Sequence, residues 1–156
     1  MTPDKKGFTL LELIVVMVIV MIMAAVAAPM MITNKKRTIA SEAVVALGAL
    51  RTFERIYYVE NQQYTGTISD LSLQASDLNG AYFSKECYKA WVHGGGYSQV
   101  FVWCHTSLSQ APKANEVKNW TFSGSFPMPY IGMDENGVLW GDIDGLGYPR
   151  NPGFED

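Results

Sequence analysis

Residues 1–31 read MTPDKKGFTLLELIVVMVIVMIMAAVAAPMM, and this stretch decides how the rest of the chain is read. The twenty residues Leu13–Ile32 carry no charge. At ~1.5 Å rise per residue such a run is roughly 30 Å long as a helix, enough to cross the hydrocarbon core of a bilayer. A removable secretory signal needs only about 7–15 apolar residues, so the run is expected to stay on the mature chain. Burying so apolar a helix inside one protein would take a large globular body, and only the residues after Ile32 remain to supply it.

Two residues interrupt the monotony. Glu12 is the only charge between Lys6 and Lys35. A carboxylate in a membrane segment is costly near the centre, although Glu12 lies close enough to the start of the run to reach the headgroup region. Pro29 removes one backbone hydrogen bond and is expected to kink or loosen the helix there. Ala24 and Ala28 make a small-xxx-small pair that admits a close helix neighbour.

The short basic leader ending in Gly7, then Phe8-Thr9-Leu10-Leu11-Glu12, then the apolar run, resembles the class III signal of type IV pilins and type II secretion pseudopilins. The resemblance is close over about the first 30 residues and continues in pattern over the next 30. It implies cleavage between Gly7 and Phe8 by a membrane prepilin peptidase, with N-methylation of the new Phe8 terminus. A glycine before the cut suits close approach to the backbone, because it has no Cβ. The resemblance also gives Glu12 a partner, the amino terminus of Phe8 on an adjacent subunit, and places local unwinding near Pro29 on assembly. The positive-inside count sets Lys5 and Lys6 against Lys35, Lys36 and Arg37 and mildly opposes a cytoplasmic N-terminus, so the orientation rests on the resemblance.

Downstream of the apolar run, Ile39, Ala43, Ala46, Leu50, Phe53 and Tyr57 recur at alternating spacings of four and three, an amphipathic helical stripe. Ser41, Glu42, Arg51, Glu54 and Arg55 fall between them and predict a polar face. Apart from Pro29 nothing clearly breaks a helix from Phe8 to about Asn61. From Gln62 turn signals take over, and residues 62–81 predict an irregular connection with about one turn of helix. CYKAWVH, three glycines (Gly94–Gly96) and YSQVFVWCH predict a hairpin. A symmetric register pairs His93 with Ser98 and sets Cys87 opposite Cys104, which supports a cross-strand disulfide if the domain is exported. A third strand is expected at Asn119–Phe126, stopped by Pro127 and Pro129, and a short fourth at Gly137–Trp140.

Net charge is −3, which argues against a non-specific nucleic-acid binder. Residues 34–128 hold nine Lys/Arg against seven Asp/Glu, and residues 129–156 one Arg against six acids. A basic collar and an acidic tail of this kind complement each other between neighbouring subunits, or the tail serves solubility. Asp142 and Asp144 make a weak calcium candidate, with Asp134 as a third ligand. Read as an EF-hand from Asp142, the fifth position is Leu146 and the twelfth Gly153, so that loop type fails. His93 and His105 lack the companions of a zinc site, and there is no haem-attachment motif. Cys104 and His105 point to opposite faces of a strand, which excludes a nucleophile–base pair. Asn119-Trp120-Thr121 matches a glycosylation sequon. Lys85, Lys89 and Lys113 are too few to make a DNA-binding patch. No catalytic constellation and no cofactor are expected.

The reading is therefore an α+β, pilin-like fold: a long N-terminal α-helix, apolar in its first half and amphipathic in its second, packed against a small antiparallel β-sheet head. Residues 1–7 are the cleaved leader, 8–33 the transmembrane or filament-core helix, 34–61 the amphipathic half and 62–156 the head with its acidic tail. The expected role is a non-enzymatic subunit of a homo-oligomeric helical filament. Its expected partners are the prepilin peptidase, an inner-membrane assembly platform and, before assembly, the lipid bilayer, which it crosses once. The final place is an extracellular pilus or, as a pseudopilin, the periplasm; a minor or tip subunit acting in adhesion or DNA capture is the third alternative.

Overall fold

The computed structural model describes residues 7–93, 99–121 and 129–149. The chain divides into two compact units, Met1–Lys35 and Lys36–Asp156. Helix α1 runs unbroken over Leu10–Asn61, 52 residues. Its composition permits its length: Ala, Val, Ile, Leu and Met dominate, and Gly48 is its one glycine. The helix ends where Gln62 turns to φ 59°, a left-handed conformation that closes the last turn.

In the first unit α1 continues through Pro29 without interruption. Proline offers no N–H to the preceding turn. One turn later the Thr33 hydroxyl donates to the Pro29 carbonyl at 3.4 Å. In this single chain the helix assignment continues on both sides of Pro29.

In the second unit Ile39, Ala43, Ala46 and Leu50 are buried, and Phe53 and Tyr57 pack against the same core. The 4-3-4-3-4 stripe is the face that meets the sheet. Leu47, also buried without exposure, widens it. Glu54 corrects the expected polar face, for it too is wholly buried.

Among the described residues four antiparallel strands follow in a meander: β1 (Tyr88–His93), β2 (Gln99–His105), β3 (Tyr130–Asp134) and β4 (Leu139–Gly141). Short helices α2 (Ala75–Leu78) and α3 (Asn115–Lys118) decorate the connections. Alternation along the strands sends Ala90, Val92, Val100, Val102, Cys104, Ile131 and Met133 into the α1 core. The opposite face carries Trp91, Phe101, Trp103 and Tyr130, with Phe101 and Trp103 stacked at 5.8 Å. The Phe101 ring lies over Gly132, where any Cβ would collide with it.

Two strand expectations change. The hairpin forms, but His93 pairs with Gln99 and Cys104 stands opposite Tyr88, not Cys87. The connection therefore spans residues 94–98, one residue more than the symmetric register assumed. The next strand to pair with β2 is Tyr130–Asp134, while most of the strand expected at Asn119–Phe126 falls outside the described residues. Residues 122–128 lie outside the described residues, and Asn119 closes the α3 turn, with Trp120 N–H bonded to Val117 O at 3.2 Å. Trp120 is buried edge-on to Phe83, so its ring serves the core and not a strand.

Side chains of α1 fasten the second unit at several points. Both oxygens of Glu42 accept backbone N–H groups, from Ala81 at 3.1 Å and from Tyr82 and Phe83 at 2.9 Å each. Arg51 Nε donates to the Glu135 carbonyl at 2.9 Å, and Lys36 Nζ to the Asp144 carbonyl at 3.3 Å.

Candidate functional site

The sequence concentrates its unusual chemistry between Gly7 and Glu12. Gly7, Phe8 and Thr9 precede the helix, and α1 starts at Leu10. The Gly7–Phe8 bond is therefore outside hydrogen-bonded structure. Among the described residues no atom beyond its chain neighbours lies within 4 Å of the position a Gly7 Cβ would take, and Phe8 is 82% exposed.

What fixes the start of α1 is a capping box. The Thr9 amide donates to Glu12 Oε2 at 3.0 Å and the Thr9 hydroxyl to the same oxygen at 2.9 Å. The Glu12 amide returns a bond to Thr9 Oγ1 at 3.2 Å. The Thr9 carbonyl accepts the first helical bond, from Leu13 N–H at 3.3 Å. Two N-terminal amides that the helix itself cannot satisfy are thereby satisfied. Glu12 Oε1 has no hydrogen-bond partner among the described residues. Thr9 is absent from the sequence-based candidates, although Thr-x-x-Glu is a recognisable box spacing.

Beyond this cap the helix presents only apolar surface. Every residue from Gly7 to Ile32 is exposed. The span is long and apolar enough to cross a membrane. A second exposed apolar line continues on the part of α1 in the second unit, through Val45, Ile56 and Val59. It lies away from the buried stripe that meets the sheet.

Cys87 and Cys104 come together although the register differs from expectation. Cys87 ends a 3₁₀ turn (Lys85–Cys87) just before β1, and Cys104 lies on β2. Their sulfurs are 2.7 Å apart, and neither residue is exposed. Burial, followed by the Cys87 thiol beside it, pushes the Cys104 thiol up. A thiol so protonated is a poor nucleophile.

The other sequence candidates do not assemble. Asp134 Oδ1 accepts the Asn136 and Val138 amides at 2.9 and 2.8 Å, and Oδ2 the Trp140 indole at 3.3 Å, which is turn chemistry. Asp142 Oδ1 accepts the Tyr130 amide at 3.1 Å, and Lys36 occupies the Asp144 carbonyl. Among the described residues no group of three or more His, Cys, Asp or Glu side chains is placed to hold a metal ion. His105 Nε2 accepts the Trp103 indole N–H at 2.7 Å, and burial, with Lys89 nearby, holds its imidazole below the usual range. It faces away from Cys104.

One buried acid escaped the sequence reading. Glu54 Oε2 accepts the Thr65 amide at 3.2 Å, and Oε1 is buried without a partner. Burial pushes its carboxyl up from 4.5 to about 7; the Thr65 bond opposes the rise and Asp70 adds to it. Glu54 lies beside the apolar stripe, among the residues that predict a polar face, so the sequence offers no signal for this.

The model of the prokaryotic N-terminal methylation motif matches residues 3–28, which is the class III prepilin signal of type IV pilins and pseudopilins. No curated protein and no solved structure matches the chain. The motif belongs to structural, pilin-type proteins, not to an enzyme family. It implies processing by a prepilin peptidase and assembly into pilus-type filaments, and with the apolar helix it fits membrane anchoring before assembly.

Proposed function

We propose that this chain is the precursor of a structural subunit of a type IV pilus-like filament. A prepilin peptidase cuts it between Gly7 and Phe8, and Phe8 is then N-methylated. Before assembly it crosses the inner membrane once. It is then drawn into a homo-oligomeric filament by an assembly platform and ends in an extracellular pilus, with no enzymatic role and no nucleic-acid partner. The observation that carries the reading is the motif on residues 3–28 joined to an apolar helix face exposed from Phe8 to Ile32. Exposed apolar surface on this scale needs lipid first and neighbouring helices afterwards. The exposed line through Val45, Ile56 and Val59 supports the second of these. In the filament Glu12 pairs with the Phe8 ammonium of a neighbour, which sets the axial register, and the helix around Pro29 loosens on assembly.

Cys87 and Cys104 form a disulfide once the domain reaches an oxidising compartment. The same motif serves pseudopilins, so a periplasmic pseudopilus is the second reading, and a minor or tip subunit for adhesion the third.

The deciding experiment is the intact mass of the protein in filaments sheared from producing cells. A mass lacking Met1–Gly7, with one methyl added and two hydrogens lost, supports the pilus-subunit reading. A processed chain confined to the membrane fraction moves the assignment to the pseudopilin. Native material that retains Met1–Gly7 overturns both.

A further inference from the structure

We infer that Thr9 is a positioning residue for the assembly contact of Glu12, clamping one carboxylate oxygen so that the other is held open for the ammonium group of a second copy of this chain. The inference rests on the filament reading above.

The geometry is asymmetric in a useful way. Both bonds from Thr9 go to Oε2, from the amide at 3.0 Å and the hydroxyl at 2.9 Å. The third bond, Glu12 N–H to Thr9 Oγ1 at 3.2 Å, anchors the hydroxyl so that it donates toward the carboxylate. A glutamate on an exposed helix surface ordinarily samples several rotamers, and a salt bridge formed from it must first order them. Here that ordering is done within the chain before a neighbour arrives, which is preorganisation.

The clamp also survives maturation. All its atoms belong to Thr9 and Glu12, downstream of the Gly7–Phe8 bond. The Thr9 amide is the Phe8–Thr9 peptide, so neither cleavage nor methylation of the Phe8 nitrogen touches it. In apolar surroundings a carboxylate with one satisfied and one bare oxygen calls for a single further donor. An ammonium from an adjacent copy meets that need at one axial position.

The hydroxyl of Thr9 is both donor and acceptor, and this makes the test selective. Valine matches threonine in shape and removes both roles, whereas serine keeps both. Thr9→Val, Thr9→Ser and Glu12→Gln are each expressed as the sole copy in cells of the native host lacking the parent gene. The processed fraction and the share of processed subunit in sheared filaments are measured, with thermal unfolding as a check on the rest of the chain. Thr9→Val is expected to be processed and folded like the parent and to fall about fivefold in filaments, the size of effect expected for losing a cap hydroxyl. Thr9→Ser is expected to assemble like the parent. Parent-like assembly of Thr9→Val overturns the inference, as does failure of Thr9→Ser to restore what valine loses. Glu12→Gln keeps an amide oxygen for the clamp but has no charge. If it assembles normally, the ion-pair reading itself falls; if it fails while Thr9→Val assembles, only the role of Thr9 falls.

Discussion

Glu54 and Thr65 are joined by a buried hydrogen bond, Thr65 N–H to Glu54 Oε2 at 3.2 Å, that ties the last turns of α1 to the chain just after it. The second carboxylate oxygen has no such bond and is sealed in the core. The pair thus stabilises the helix exit while leaving a charge-sensitive point inside the domain.

A pH dependence of stability follows. The carboxyl titrates near 4.5 when unfolded and near 7 when folded, so the folded state holds its proton more tightly. Its contribution is whole below pH 4.5 and is lost as pH rises through 7, by up to about 3 kcal/mol. Chemical denaturation of the detergent-solubilised chain at pH 5 and pH 8.5 measures this. Glu54→Gln should lose less stability than the parent over that interval; equal losses would refute the assignment.

Glu42 and Gly80 define a second test. A Cβ at Gly80 would run into the Glu42 carboxylate, which binds the Ala81, Tyr82 and Phe83 amides. Gly80→Ala and Glu42→Ala are each expected to cost about 1–3 kcal/mol, because each strips acceptors from those amides. The double variant should cost little more than either single change. Additive costs in a double-mutant cycle would show that the two residues act separately.

Oxidation of Cys87 and Cys104 gives a third. They are 17 residues apart, and closing a loop of this size stabilises the folded state by about 3 kcal/mol in the chain-entropy model. Exported protein is expected to unfold at lower denaturant after reduction, and Cys104→Ser should match the reduced parent. Identical midpoints for reduced and unreduced exported protein would mean that the pair stays as thiols.

Gly132 supplies a fourth. Phe101 packs its ring where a side chain at 132 would stand, on the sheet face away from α1. Gly132→Ala must displace that ring and is expected to cost about 1–3 kcal/mol. Phe101→Ala in the same background should recover part of the Gly132→Ala penalty, and a failure to recover any would place the strain elsewhere.

Periodicity carried the long-range features of the fold. The stripe from Ile39 to Tyr57 reveals which face of α1 is buried, and the turn residues after Asn61 reveal where the helix stops, because both are set by local pattern. The hairpin is legible for the same reason, but its register depends on one residue of loop length, which composition does not fix. β3 is hidden because Trp120 and Thr121 have strand propensity yet form no strand, while Tyr130–Asp134 sits behind prolines and contains Gly132. Tertiary packing of Trp120 against Phe83 overrides propensity there. In the N-terminal site the charge of Glu12 stands out in the sequence, whereas its hold by Thr9 emerges only with three-dimensional geometry. Glu54 is the clearest miss: an acid beside a stripe reads as polar surface, and only the packed domain reveals that it is enclosed.

The grip of Arg51 and Lys36 on Glu135 and Asp144 has a consequence for surface variation. Both cations hold main-chain carbonyls, which every amino acid possesses. The anchor is therefore indifferent to which side chain stands at positions 135 and 144. A lineage is free to recolour this acidic stretch, residue by residue, without letting go of the helix that carries it.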